Sequence, residues 1–532
     1  MPNTTFVRTG QRDLDDLVPL IGSFLRQDVM ELSIDGKVVG GFRTPDAKSI
    51  WIRDHCDMLR MGRHFHHDAT SAVEHFGETQ SATGRIFDYF TTFPEKPPSE
   101  RENWTKYVRV PVEADVEYRF VKAAYLAWQA CGDDEWLRRT MPRMEAALQY
   151  ILHHPWYWDE GRGLVKRAYT IDTWDFAYTA GRHEWLQFQF DAHTFWGIMH
   201  GDNSGYYEAF RIMAALYTRL GDAERAASWN DRADGLRERM NTACWNGRFY
   251  THFVKLNPVD IPGVDELSQL SLSNPMDINR GVADHPQAVA IIEEYRRRRQ
   301  ETSAFAEWFS IDPPFPDGIF GDEKLVGGAY VNGGIMPLVG GELAKAAFDH
   351  GFETYGVDIL RRYHALIAEK GETYLWYFPD GTPASIEKST SPDAQPTDGW
   401  GSSAMLWAFV TGLAGVEDTG KGFDAVRLSP RWPAADVERA EVRTVYQCSG
   451  AELGYTYRSS ARHIEMVVTC ANGDTQFHVL LPRGSHANSV KVGGAEAPFR
   501  TVHVESSRYV DFAARLRGET TLTIGLSDAG TE

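Results

Sequence analysis

From residue 114 to residue 416 the chain repeats one arrangement: an amphipathic helical segment, a short break, and a second such segment. "ADVEYRFVKAAYLAWQAC" (114–131) places apolar residues at three- and four-residue spacing, and "DDEWLRRTMPRMEAALQYILHH" (133–154) follows after Gly132. "SGYYEAFRIMAALYTRLG" (204–221) pairs with "DAERAASWNDRADGLRERMNTACW" (222–245), and "GGELAKAAFDHG" (340–351) with "FETYGVDILRRYHALIAEKG" (352–371). "SSAMLWAFVTGLAGV" (402–416) reads as the last helix. Such a periodicity buries one stripe per helix. There is no βαβ alternation and no fixed-period repeat, which argues against a parallel sheet and a regular solenoid. A mainly α fold follows, in which a closed ring of about twelve helices covers every apolar stripe and gathers the long connections at one end.

Near Gly420 the pattern changes. "FDAVRLSPRW", "RTVYQCSG", "AELGYTYRSS", "HIEMVVTCANG" and "TQFHVLLPRG" are short, partly alternating and separated by turn residues. They read as strands of an antiparallel β-sandwich. The expected division is a helical ring over 1–419 and a sandwich over 420–532, in keeping with 532 residues, too many for one ordinary core.

Charge narrows the partners. The 74 acidic and 55 basic residues give a net charge of −19, which disfavours nucleic acid and anionic membranes. No apolar run approaches the length of a spanning helix, and MPNTTFVRTG has no signal-peptide pattern. Cys56, Cys131, Cys244, Cys448 and Cys470 are scattered, with no CxxC pair, and read as free thiols of a reducing compartment. A cytoplasmic protein is therefore expected. Assembly of identical chains stays open.

The connections carry the chemistry-bearing residues. "YTIDTWDFAYTAG" (169–181) sets Asp172 and Asp175 among Tyr169, Trp174, Phe176 and Tyr178. Apolar surroundings and a like charge raise a carboxyl pKa, as a proton donor needs. The two are too close in sequence to serve as a separated acid–base pair, so one reads as the acid and the other as a binding or orienting group. "SIWIRDHCDMLRMG" (49–62) runs from an extended stretch into a helix. There Trp51 offers a stacking face, and Arg53 and Asp54 either clamp hydroxyls or form an internal salt bridge. "TPASIEKSTSPDAQPTDGWGSS" (382–403) supplies Glu387 as candidate base, with Asp398 in reserve as base or helix cap and Trp400 beside it. "YVNGGIMP" (330–337) sets Tyr330 and Asn332 in a Gly-rich loop, and "LSNPMDINRG" (272–281) offers Asp277 and Asn279. Aromatic residues make up 12% of the chain, and ring faces suit the C–H faces of sugars. His64, His66 and His67 lack a partner at metal-ligand spacing, and no phosphate-binding loop, dinucleotide fingerprint or nucleophile elbow occurs. No metal and no cofactor are expected.

The order of these segments resembles the six-hairpin, (α/α)6-barrel glycoside hydrolases, nearest to trehalases and the processing α-glucosidase and mannosylglycerate hydrolase group. "SIWIRD" (49–54) looks like their early pocket-lining segment, and the Trp-Asp-Phe of "TIDTWDF" (170–176) their acid segment. "IEKSTSPDAQPTDGW" (386–400) is similar to their base segment, and "YVNGGIMP" to the Asn-Gly-Gly loop of neutral invertases. "GFDAVRLSPRWP" (422–433) is similar to the stretch that follows the barrel in rhamnosidases and disaccharide phosphorylases. The resemblance implies an inverting, exo-acting hydrolase of a glycosidic bond, with Asp175 as acid and Glu387 as base. It implies a small carbohydrate substrate bound by Trp51, Arg53, Asp54, Asp172, Trp174, Tyr330, Asn332 and Trp400. A full trehalase signature is absent. Three other readings stay open: a disaccharide phosphorylase, a sugar epimerase using a base such as His183, and a carbohydrate-binding protein without activity.

Overall fold

The computed structural model describes residues 4–45, 47–93, 104–107, 113–172, 176–182, 192–384 and 396–528. Thirteen α-helices occur among them: α1 (Arg12–Asp15), α2 (Leu17–Gln27), α3 (Ile52–Gly62), α4 (Ser71–Glu78), α5 (Val116–Cys131), α6 (Asp134–His153), α7 (His200–Leu220), α8 (Ala223–Cys244), α9 (Ser273–Asn279), α10 (His285–Glu301), α11 (Pro337–Asp349), α12 (Glu353–Lys370) and α13 (Gly399–Trp407). The odd-numbered helices from α3 to α13 contact one another in sequence, and α13 returns to contact α3. The even-numbered helices pack outside them: α2 on α3 and α13, α4 and α6 on α5, α8 on α7, α10 on α9 and α11, and α12 on α11.

Burial separates the two sets. Every residue of α3 is buried, and so are all of α11 except Asp349. Helix α8 buries one stripe, Ala226, Trp229, Ala233, Leu236, Met240 and Cys244, and exposes the rest. Its spacing is that of a helix with a single packed face.

The breaks read from the sequence are helix ends. Gly132, Gly221 and Gly371 follow α5, α7 and α12 with φ of 72°, 83° and 65°, the left-handed conformation that glycine adopts without strain. Asp133 caps α6 by accepting from the backbone N–H of Glu135 and Trp136, and Asp284 with Gln287 forms a capping box on α10. Two helices depart from expectation. Helix α7 starts at His200, four residues early, because its first turn is buried and polar and so lacks the apolar period. Helix α13 starts at Gly399 and gives way to a π-helix, Ala408–Leu413, where Phe348 fills the space beside Gly412.

Strands fill the connections. Ser49–Trp51, Tyr89–Thr92 and Trp104–Tyr107 form one small sheet, and Trp158–Asp159, Leu164–Ala168, Trp196–Ile198 and Val254–Lys255 another. A hairpin, Val29–Ile34 with Lys37–Phe42, turns at Asp35–Gly36, both at positive φ as a tight two-residue turn demands.

From Val416 onward the chain joins a ten-stranded sheet. Its spine is the long antiparallel pair His463–Leu480 and Ser507–Asp528, with a register shift between Cys470 and Gly473. Two features differ from a purely antiparallel C-terminal unit. Ala425–Leu428 pairs antiparallel with Val416–Asp418 on one side and in parallel with residues 474–477 on the other. Phe6–Arg8, from the other end of the chain, pairs with residues 441–443 and covers an edge. No helix among the described residues is long and apolar enough to cross a membrane.

Helices α11 and α13 approach through glycine. A Cβ on Gly341 would collide with the backbone of Ala404 and Met405, and one on Gly401 would press on Pro337 and Leu338. Gly341→Ala is expected to cost about 1–3 kcal/mol of unfolding free energy, read by urea denaturation, because neither backbone can recede without opening the ring.

Candidate active site

Polar contacts link the inner helices, and the first-turn residues Arg53, His200 and Trp400 take part in them at one end of the ring. Arg53 of α3 binds Asp115, which precedes α5, and the Tyr206 hydroxyl of α7 donates to the Ala114 carbonyl. His200 of α7 binds Asp277 of α9, Asn279 of α9 binds Glu342 of α11, and the Trp400 indole of α13 donates to Asp57 of α3. Helix N-termini carry partial positive charge, which favours carboxylates near them. Asp54, Glu117 and Asp202 occupy first turns, and Asp398 caps α13 by accepting from the Trp400 N–H at 3.0 Å.

These carboxylates are buried, and guanidinium groups answer them. Arg53 grips Asp115 in a two-point contact, Nε and Nη2 each 2.8 Å from a carboxylate oxygen, and also binds Glu113. Arg119 joins Asp115 to Asp57. Arg43 meets Asp54 at 2.5 Å, and Arg167 lies 3.3 Å from Asp202. Burial pushes the Asp115 carboxyl up, but Arg53 and Arg119 together hold it well below the usual range. Burial works against weaker compensation elsewhere. It lifts Asp202 to about 6 despite Arg167, and Asp398 to about 7 despite Arg43. Asp28, at the C-terminal end of α2, is pushed up to about 10 by burial and by Asp398. It sits against Gly399, where a Cβ would strike its carboxylate.

The described candidates take up distinct positions. Arg53 and Asp54 are 5% and 7% exposed, and each is engaged in an ion pair, Arg53 with Asp115 and Asp54 with Arg43. Trp51 stacks on Tyr89 at 4.1 Å, with Arg43 over its ring at 5.7 Å. Asp172 has a φ of 49°, and its carboxylate accepts from the Ser273 N–H at 3.2 Å and the Ser273 hydroxyl at 2.6 Å. Its own N–H donates to His252 Nε2 at 2.9 Å, and burial holds His252 down near 3, so that ring stays a neutral acceptor. Asp172 thus ties residues 170–172 to the start of α9.

Tyr330 has a φ of 46° and meets Phe176 edge-on at 5.9 Å. Asn332 spends its amide within its own loop region, accepting from the Phe315 N–H and donating to the carbonyls of Phe315 and Leu325. Trp400 is buried, its indole 2.5 Å from Asp57. Asp277 meets His200 Nδ1 at 2.5 Å, and Ser271 lies 2.8 Å from Nε2 of the same ring. His64 bonds the Val445 carbonyl. Trp174, Asp175, His183 and Glu387 lie outside the described residues.

The sequence reading missed Arg43, Asp57, Asp115, Arg119, Asp202 and His252. One signal was available for two of them: Asp115 and Arg119 stand four apart in a segment read as a helix, the spacing at which an acid and a base can pair.

Solved structures share this architecture. An α-L-rhamnosidase from Dictyoglumus thermophilum matches 98% of this chain at 12% identity and a TM-score of 0.58, and an α-L-rhamnosidase from Streptomyces avermitilis, complexed with L-rhamnose, matches 98% at 13% and 0.56. This chain spans 50% and 42% of those two proteins. A mannosylglycerate hydrolase from Thermus thermophilus, in complex with Tris, is covered completely by 74% of this chain, at 14% identity and a TM-score of 0.51. No protein-family model and no curated protein matches the sequence. At these identities the likeness is one of fold, and the fold is one that glycoside hydrolases use.

Two outcomes are expected at this end of the ring. Arg53→Met removes the cation that Asp115 and Glu113 share and leaves Asp115 with Arg119, and a loss of about 3–5 kcal/mol in chemical denaturation should follow. Asp28 is held neutral: its folded pKa, about 10, lies above the ordinary 3.8. The folded state therefore binds the extra proton, and the stability this confers is present below pH 3.8 and lost as pH rises through about 10. Asp28→Asn, neutral at every pH, should flatten the fall of melting temperature over that window.

Proposed function

We propose that this chain is an inverting, exo-acting glycoside hydrolase built on an (α/α)6 barrel, cleaving a terminal, α-linked glycosidic bond of a short oligosaccharide or small glycoside. The observation that carries the reading is the closed cycle of contacts among six inner helices, with buried first-turn carboxylates at one end, on a fold shared with rhamnosidases and a mannosylglycerate hydrolase. Residues 1–419 form the catalytic unit of this reading, and 420–532 a companion sheet tied back by the first strand.

In this reading Asp175 protonates the leaving oxygen and Glu387 activates water from the opposite side of the ring. An inverting pair stands ~6.5–9.5 Å apart to admit that water. Asp172 is the positioning member of its pair, since its carboxylate is fully buried and already accepts twice from Ser273. The cap that Asp398 provides to α13 supports Glu387 over Asp398 as base. Trp51, Trp174, Tyr330 and Trp400 furnish the aromatic walls. Arg53, Asp54 and Asn332 brace those walls through the partners they hold.

The commitment of the nearby arginines favours a neutral glycoside over an acidic one. Arg53 faces Asp115 and Glu113, Arg167 faces Asp202, and Arg182 donates to the Thr179 and His193 carbonyls. An added substrate carboxylate would compete with anions already in place.

The test is turnover of a panel of neutral and acidic disaccharides and aryl glycosides, with NMR reading the anomer first released. The expected result is a sugar of inverted configuration. Asp175→Asn and Glu387→Gln should each keep the fold by circular dichroism and lose roughly 10²-fold or more of turnover. A retained anomer, or full turnover in either variant, overturns the assignment. Release that requires added phosphate identifies a phosphorylase instead.

A further inference from the structure

At the opposite end of the ring, where α3, α5 and α7 meet the sheet, lies a partly open cavity of about 260 Å³. It lies below the ~300 Å³ at which pockets for drug-sized ligands begin. Its walls come from both parts of the molecule. Arg63, Lys122 and Glu208 belong to the helical side; Glu417, Asp418 and Tyr446 belong to the sheet side. The π-helix that interrupts the end of α13 supplies Val410 and Thr411 to the same wall.

The charges at this cavity are balanced, and each already has an answer. Lys122 lies 3.0 Å from Glu208. Arg63 donates to the Leu126 carbonyl and to Gln129, and its guanidinium lies over the Tyr446 ring at 4.8 Å. Asp418 accepts from the N–H groups of Gly420 and Phe423 and from the Tyr446 hydroxyl, and burial lifts it to about 6. Arg60 binds Glu342 and lies over Trp407 at 4.3 Å. An anion placed here would face Glu208, Glu417 and Asp418; a cation would face Arg60, Arg63 and Lys122. A neutral polyhydroxy molecule meets neither penalty. Each of its hydroxyls both donates and accepts, so alternating guanidinium, ammonium and carboxylate groups can satisfy it.

We propose that this cavity is a second binding site, separate from the candidate active site, for one small neutral polyol or monosaccharide held between the helical ring and the sheet. The junction it would bridge is already hydrogen-bonded through Gln129, which donates to the carbonyls of Asp418 and Gly420, and through Gln447, whose N–H donates to the Arg63 carbonyl. A ligand seated there stabilises the junction by mass action.

The test is hydrogen–deuterium exchange on the full-length protein, with D-glucose, myo-inositol, glycerol or sodium sulfate as probes. The expected result is that at least one of the three polyols slows exchange in the segments 60–64, 408–419 and 444–447, and that sulfate does not. Lys122→Met removes a donor and Thr411→Phe fills the cavity. Each should weaken that polyol by about tenfold or more, the worth of one hydrogen bond to a charged group. Glu387→Gln, at the proposed catalytic base, should leave this protection unchanged. Protection confined to segments 49–57 and 396–400, or no protection by any polyol, overturns the site. Protection by sulfate alone overturns the polyol. Failure of the hydrolase reading leaves these outcomes untouched, because none depends on turnover.

Discussion

The Arg53–Asp115–Arg119–Asp57–Trp400 chain of contacts joins three inner helices within their first two turns. Asp115 lies before α5, Arg53 and Asp57 on α3, and Trp400 on α13. All five residues are 7% exposed or less. Desolvating such groups costs several kcal/mol per ion, and the cost is repaid only when every partner is in place. The network is a weak source of net stability, but it is strict about geometry. A helix rotated by one residue would leave a charge alone in the interior. That strictness fixes the azimuth of α3, α5 and α13, and with it the direction in which the preceding segments leave the ring.

Those segments are where the proposed chemistry resides. Asp172 shows how they are held. Its left-handed backbone turns the chain, its carboxylate anchors the start of α9, and its N–H rests on His252. Two residues of the same segment, Asp172 and Phe176, thus meet different neighbours, α9 and Tyr330. Scaffold and site are connected through buried polar groups, not through apolar packing alone. The opposite end of the ring is built from the same kinds of residue, but its charges are balanced at a cavity instead of closed on one another.

Three outer helices, α6, α8 and α12, were legible in the sequence because each has one wet face, whereas α2, α4 and α10 were not read. Helix α8, with its single stripe from Ala226 to Cys244, is the clearest case, and the glycines after α5, α7 and α12 marked the ends. Among the inner helices α3, α5, α7, α11 and α13 were read at least in part, and the failures lie in α9 and at the start of α7. Helix α9, SNPMDIN, is short and has no apolar period, and the first turn of α7 is polar and buried. When all faces of a helix are buried, periodicity disappears. Phe6–Arg8 was invisible as part of the C-terminal sheet for a different reason: its partner lies more than 430 residues away, and nothing local marks it.

By itself, then, the sequence determined the helical hairpins, the change to strands near residue 420, and the segments around Trp51, Asp172, Tyr330 and Trp400 that bear polar and aromatic groups together. These are local properties, set by spacing, turn residues and composition within a few turns of chain. Only the tertiary structure decided what those groups do. It committed Arg53 and Asp54 to ion pairs, Asn332 to its loop region and Asp172 to Ser273, and it drew Arg43, Asp115, Arg119 and Asp202 into the same buried end. The reason is that a charged side chain in a low-dielectric interior is defined by its nearest partner, and here those partners come from distant parts of the chain.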